Sequence, residues 1–129
     1  DLAERYEADA EYPVGTVLIF GGEKEVTQST NKMDRRKAGV VSLEPAYMMN
    51  CDLNETVEHA PYVALQGRVP VRVVGAVRKG DLMITSSVPG CAEAWREEGD
   101  PRYGSVIGKS LVNKISSEEE LIEIVVGVV

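Results

Sequence analysis

The sequence has 129 residues, of which 43% are hydrophobic and 27% charged, a balance typical of one globular domain rather than a disordered chain. Twenty-one acidic residues against 14 basic ones give a net charge of −7. This charge argues against nucleic acid and anionic membranes as partners, because both attract basic surfaces. No apolar run approaches the ~20 residues of a membrane-spanning helix.

Metal-ligating and nucleophilic side chains are scarce. Cys51 and Cys91 are far apart in the sequence and form no paired motif, so we expect neither a disulfide framework nor a zinc site. His59 is the only histidine, which leaves little material for a metal site or a Ser-His-Asp triad. We therefore expect no metal and no cofactor.

The first ten residues, DLAERYEADA, contain good helix formers and predict one or two helical turns. In such a turn Asp1 and Glu4, three residues apart, would lie on one face. Two neighbouring carboxylates cannot both ionise freely, so the pair would separate into a proton donor and a proton acceptor. The alternative is structural, since acidic residues are also common at helix N-termini for electrostatic reasons.

Strand-like patterns dominate the middle of the chain. "GTVLIF" runs into Gly21 and Gly22 and is followed by "EKEVTQS", which predicts a hairpin. "PYVALQGRVPVRVVGAV" contains two further strand-like runs. In the second run, Val69, Val71 and Val73 alternate with their neighbours, which predicts one buried face and one face in contact with water.

The second half of the chain predicts three more strands and a helix. "KGDLMITSS" enters a strand through a turn at residues 79–81, because Gly and Asp favour tight turns. "GSVIGKSLV" is one residue short of a phosphate-binding loop and is rich in β-branched residues, so it predicts a strand. "GCAEAWREEGD" predicts a short helix. "LIEIVVGVV" predicts a last strand, either central in a barrel or buried against another subunit.

Glycines and prolines interrupt the chain about every eight to twelve residues, as in small β-barrels and β-sandwiches. We therefore predict a mostly β, compact barrel- or sandwich-like domain with one or two short helices. We find no internal repeat, low-complexity tract or linker, so residues 1–129 are predicted to form a single domain.

Several motifs occur in an order that is more specific than any one of them: DLAE, GTVL, GVVSLEP, ALQGRVPV and KGDL. In this order they resemble the C-terminal domain of bacteriophage tail-fibre, tailspike and neck-appendage proteins, the peptidase G2 type of intramolecular chaperone with autoproteolytic cleavage. The resemblance covers nearly all of the chain. It implies a homotrimer that aligns three copies of the polypeptide, so that the fibre shaft upstream in the same chain folds in register.

In cleaving members of this family, the peptide bond before the Asp of a Ser-Asp-x-Ala-Glu motif is cut. That Asp and the Glu three residues later correspond here to Asp1 and Glu4. The resemblance therefore implies that these two residues are catalytic, in a single self-processing event just before Asp1. We expect the chain's start at Asp1 to reflect this cleavage; a start unrelated to cleavage is the alternative.

Two other functions stay open at the level of sequence. One is a non-cleaving trimerisation cap that remains on the virion, and the other is a receptor-binding tip that contacts its target through loops such as residues 50–61. The resemblance implies a location in the virion, or in the host cytoplasm during assembly, and contacts with other virion tail proteins. The basic cluster at residues 31–37 either pairs with an acidic surface of a neighbouring copy or is a solvated loop.

Overall fold

Ten β-strands and one 3₁₀ helix form the regular structure of residues 1–128, the part of the chain that the computed structural model describes. The strands are β1 (Leu2–Arg5), β2 (Val17–Phe20), β3 (Val26–Gln28), β4 (Lys37–Ser42), β5 (Tyr47–Met49), β6 (Tyr62–Val73), β7 (Leu82–Thr85), β8 (Ala92–Ala94), β9 (Val106–Ser110) and β10 (Glu120–Val126). The 3₁₀ helix spans Cys51–Glu55. The prediction of a mostly β, compact, barrel-like fold is confirmed.

The longest strand, β6, belongs to two sheets in turn. Its first half pairs with β1 and β4, and its second half pairs with β10. The pairing with β10 begins at Gly67, which has a φ of +110°, a backbone conformation that side chains disfavour. The two strands that the sequence predicts here are therefore one continuous strand that connects the two halves of the domain.

Five strands close into a barrel in the order β6, β10, β9, β7 and β8. The ring closes where Ala92 of β8 pairs in parallel with Val73 of β6. Aliphatic side chains fill the interior, and Val69, Val71 and Val73 are buried as predicted. β10 lies between β6 and β9, so the last strand is central in the barrel. The final residue of that predicted strand, Val129, lies outside the described residues.

The remaining strands join the first half of β6 in a second sheet, which we call the N-terminal sheet, in the order β5, β1, β6, β4, β2 and β3. β2 and β3 form the predicted hairpin. One isolated bridge, between Ala8 and Val26, connects the chain after β1 to β3. A second, smaller core packs on this sheet around Leu18, Val41 and Val63.

Both predicted helices are wrong. Residues 2–5 form β1, whose Ala3 is fully buried between β5 and β6. Residues 92–94 form β8, which closes the barrel. Helix propensity is a weak preference that strand pairing overrides at both places. The short 3₁₀ helix at Cys51–Glu55 lies elsewhere, and no helix within residues 1–128 is long and apolar enough to cross a membrane.

Candidate functional site

Asp1, the first predicted catalytic residue, is held firmly against the N-terminal sheet. Its carboxylate Oδ2 accepts a hydrogen bond of 2.7 Å from Ser42 Oγ. Its carbonyl accepts bonds from the amides of Ala46 and Tyr47, at 3.0 and 3.1 Å. Its backbone packs on Gly67, where an added Cβ would lie 2.8 Å from the Asp1 Cα. Both the backbone and the side chain of Asp1 are therefore positioned by the fold.

Three of the sequence motifs meet at this point. Asp1 opens the DLAE motif, Ser42 ends the GVVS stretch, and Gly67 is the glycine of ALQGRVPV. Ser42 lies at the end of β4, and Gly67 marks the change of partner along β6. A larger residue at position 67 would collide with Asp1, in addition to the strain of its positive φ.

Glu4, the second predicted catalytic residue, has different surroundings. It lies in β1, opposite Met49 of β5 and Val63 of β6. The pKa of the nearby Tyr6 hydroxyl is raised, first by burial, then by the charge of Glu4 and a hydrogen bond to it, and last by Glu25. Glu4 thus acts on the Tyr6 hydroxyl, whereas the carboxylate of Asp1 accepts a hydrogen bond from Ser42.

The helical turn predicted to pair Asp1 with Glu4 is not formed. Residues three positions apart in a regular strand point to opposite faces. The pairing of β1 with β6 also shifts register between Leu2 and Ala3. The structure therefore places both carboxylates on one short segment without giving them a common hydrogen-bonding partner.

A cleft of about 600 Å³ is lined by Ser42, the residue whose hydroxyl donates to Asp1. His59, the only histidine, lines the same cleft, together with Arg5 and Tyr62. The Arg5 guanidinium lies 4.0 Å from the centre of the Tyr62 ring, and its Nε donates to the carbonyl of Cys51 at 3.0 Å. That Ser42 and His59 share a cleft could not be predicted from the sequence, because 17 positions separate them and neither belongs to a catalytic motif.

Exposed apolar side chains flank Asp1 on β5. Tyr47, Met48 and Met49 are 73%, 51% and 38% exposed, and the preceding Leu43 is 72% exposed. Within residues 1–128, β5 pairs only with β1, so its outer edge has no strand beside it. Exposed apolar surface on an unpaired strand edge is typical of interaction sites. A partner that covered β5 would also cover Asp1.

Other motifs noted in the sequence have structural roles. The GKS residues lie in β9 of the barrel, as predicted. The turn at residues 79–81 is also confirmed, with Gly80 at a φ of +90° and Asp81 Oδ2 accepting the amide of Arg78 at 2.8 Å. In the described part of the chain, no three His, Cys, Asp or Glu side chains are grouped to hold a metal ion.

No protein-family model matches the chain, and no curated protein matches its sequence. The resemblance to phage chaperone domains therefore depends on the order of the sequence motifs alone.

Proposed function

We propose that this domain is the C-terminal intramolecular chaperone of a phage tail fibre or appendage, which trimerises the chain, guides shaft folding and is cleaved just before Asp1. The observation that carries this proposal is the convergence of three separated motifs on Asp1, through Ser42 and Gly67. If the order of the motifs reflects a shared function, the motifs should lie together in the fold. Here they surround Asp1, the residue that the resemblance implicates in cleavage.

Trimerisation is supported by the exposed apolar side chains of β5 and Leu43. Ala46 and Tyr47 donate to the Asp1 carbonyl, so Asp1 lies next to the start of β5. A neighbouring subunit that packed on β5 would therefore also exclude water from Asp1. Loss of water changes the proton affinity of a carboxylate. Cleavage would then begin only after assembly, which is the order of events that a chaperone requires.

Chain registration explains why such a domain is useful. Three long, repetitive strands pair slowly, because non-local contacts must form against chain entropy and slipped registers compete. A terminal trimer holds the three shaft ends at an effective concentration of about millimolar, which makes nucleation intramolecular. Removal of the trimer afterwards leaves the shaft kinetically trapped in its folded form.

The chemistry is hydrolysis of one peptide bond. A water molecule attacks the carbonyl carbon of the residue before Asp1, the C–N bond breaks, and the released amine of Asp1 takes up a proton. The Asp1 carboxylate, oriented by Ser42 Oγ at 2.7 Å, is the base that accepts the proton of the water. The sequence-based scheme leaves open which of Asp1 and Glu4 is the base. Because Asp1 adjoins the bond that is cut and Ser42 orients its carboxylate, we assign the base to Asp1 and the acid to Glu4.

The test uses a chain extended upstream by its natural fibre segment, followed by intact mass and N-terminal sequencing. We expect two fragments, the smaller of which begins at Asp1. Asp1→Asn should stop cleavage while leaving the trimer intact, and Ser42→Ala should slow it. Glu23→Gln, at an exposed position in the β2–β3 connection, is the matched control and should cleave normally. Normal cleavage in Glu4→Gln would remove Glu4 from the mechanism.

A second function, the non-cleaving trimerisation cap, is favoured by one observation. The Asp1 carboxylate is bonded to Ser42, and Glu4 lies in a strand where no helical turn brings the two carboxylates onto one face, so they do not form the pair of the sequence-based scheme. In that case the extended chain would form trimers and stay in one piece. The same mass measurement therefore distinguishes the two functions, and the presence of the uncut chain in mature particles would support the cap.

A further inference from the structure

A cleft on the side of β4 combines apolar walls with positive charge. It has a volume of about 410 Å³, and its apolar lining comes from Leu82, Pro101 and Val106. Two cations, Lys37 and Arg102, and one carboxylate, Asp100, also line it, so the charged side chains of the lining carry a net positive charge. Such a surface suits a ligand that carries an apolar group and a carboxylate close together.

Lys37 has no acidic partner in the described chain, in contrast to Lys32 and Arg36 of the same basic cluster. Lys32 Nζ lies 2.9 Å from Glu97, and Arg36 Nη2 lies 2.8 Å from Asp34, but no carboxylate of residues 1–128 lies within ion-pair distance of Lys37. Burial lowers the pKa of Lys37. A partly desolvated ammonium without a counter-ion favours the approach of a carboxylate.

The chain itself presents a complementary group at a separate place. Ile115 is 95% exposed, and the residue before it is firmly anchored. Lys114 is only 4% exposed, its Nζ donates to the carbonyls of Gly75 and Ser116, and its backbone forms two 2.9 Å hydrogen bonds with Val77. The exposed Ile115 is thus held in place, and a preorganised group loses little entropy when it is bound.

Carboxylates follow Ile115 within a few residues. Glu118, Glu119 and Glu120 come next in the chain, and Glu119 is already bound by Arg72 at 3.0 Å. Glu118 and Glu120 are exposed and make no ion pair within residues 1–128. Residues 115–120 therefore offer one apolar side chain and two unpaired carboxylates, which matches the apolar walls of the cleft and its unpaired Lys37.

We propose that Ile115, with Glu118 and Glu120, of one copy of the chain docks into the Lys37 cleft of a second copy. The contact joins two different surfaces of the chain, so it is heterologous, the type that closes into a ring under three-fold symmetry. It rests on the proposed function, because it identifies a contact that holds the trimer together.

Zero-length carbodiimide cross-linking tests the contact directly. An equal mixture of ¹⁵N-labelled and unlabelled 129-residue chain is cross-linked and digested, and the peptides are identified by mass. We expect a Lys37 link to Glu118 or Glu120 that joins labelled to unlabelled peptides. A link found only within one isotope would place it inside a single chain and would contradict the proposal.

Variants test the energetics by sedimentation. Ile115→Asp should weaken trimer association by about tenfold or more, as expected when one large apolar contact is lost. Lys37→Glu and Glu118→Lys should each weaken it, whereas the double variant Lys37→Glu/Glu118→Lys should recover association by restoring opposite charges. Glu23→Lys makes the same charge change at an exposed position elsewhere and should have no effect. Far-UV circular dichroism and thermal melting check that each variant is folded.

The outcomes separate this contact from the function on which it rests. If the wild type is trimeric and Ile115→Asp associates equally well, the docking contact is wrong while the trimeric chaperone stands. Weakening by each single charge change with no recovery in the double variant would also contradict a direct Lys37–Glu118 contact. If the wild type is monomeric at all concentrations, the trimer and this contact both fail.

Discussion

The barrel and the N-terminal sheet share β6, yet they treat their strand edges in opposite ways. In the barrel, antiparallel ladders connect β6, β10, β9, β7 and β8 in turn, and a single pair of residues, Val73 and Ala92, closes the ring. In the N-terminal sheet, β3 pairs with β2 on one side and is met on its other side by one isolated bridge between Ala8 and Val26, and β5 is left as an exposed apolar edge. Asp1 lies in the N-terminal sheet region. Functional segments are commonly found in the less stable parts of a protein. Here the candidate site lies on the open N-terminal sheet, which is attached to the closed barrel through β6.

The largest expected effects come from one large-to-small change in each core. Ile124→Ala in the barrel and Leu18→Ala in the N-terminal sheet both remove a fully buried aliphatic side chain. We expect each to lower the free energy of unfolding by about 3–4 kcal/mol, measured by urea denaturation. Native-state hydrogen exchange should distinguish them, with Ile124→Ala accelerating amides of both regions and Leu18→Ala mainly those of the N-terminal sheet.

The control for this pair is Ile115→Ala, because Ile115 is 95% exposed and should leave the stability of the monomer nearly unchanged. Equal acceleration of all protected amides by both core variants would mean that the two regions open as one unit. The barrel and the N-terminal sheet would then differ in how their strand edges are paired, but not in local stability.

A smaller effect is expected at the contact that links the two regions. Arg72, on β6, donates to Glu119 from Nε at 3.0 Å and from Nη2 at 3.3 Å, and to Thr16 Oγ1 from Nη1 at 3.0 Å. Arg72→Ala should cost about 2 kcal/mol, because the fully buried Thr16 hydroxyl loses a hydrogen bond and the exposed Glu119 loses its ion pair. Thr16→Val removes the Thr16 bond alone and should cost less. Equal losses in urea denaturation would show that Glu119 contributes little.

The smallest effect concerns acid pH. Asp34 precedes β4, and its amide donates to Thr85 Oγ1 on β7 at 2.7 Å, so it also links the two regions. The side chain of Arg36 lowers the pKa of Asp34 through a hydrogen bond, against the opposing effect of burial. Because the folded pKa lies below the unfolded one, this stabilisation is present above the usual Asp pKa of about 4 and is lost as the pH falls through the folded pKa.

Replacement of Asp34 by Asn should therefore reduce stability at pH 7 by under about 1 kcal/mol, since Arg36 is half exposed. The difference from the wild type should shrink as the pH falls below about 4. Urea denaturation at a series of pH values measures it. A difference that stays constant down to pH 2 would assign the loss to the backbone contacts of Asp34 rather than to its charge.

Much of the barrel could be predicted from the sequence, because alternation of apolar residues reports which face of a strand is buried. Val69, Val71 and Val73 show this, as does the turn before β7. β1 and β8 could not be predicted in this way. Each is only three or four residues long, is rich in Ala and Glu, and owes its strand form to distant partners. The closure at Val73 and Ala92 joins residues 19 positions apart, which local patterns do not reveal.

The candidate site was predicted in part. Asp1 and Glu4 follow from the motif resemblance, but the helical spacing that would have paired them is contradicted by β1. Ser42 and Gly67 belong to recognised motifs, yet only the fold brings them to Asp1. A short motif supplies the residue types, whereas the distances between motifs depend on the pairing of β1 and β4 with β6.

The placement of Asp1 on Gly67 has a mechanical consequence. Any chain joined to the amine of Asp1 would transmit tension to the midpoint of β6, at the boundary of the two sheets. Such a load falls first on the four-residue ladder of β1, which can peel away, while the barrel ladders on the far half of β6 bear little of it. The domain is therefore arranged so that pulling on its start would strip the segment carrying Asp1 and Glu4 before the barrel deforms.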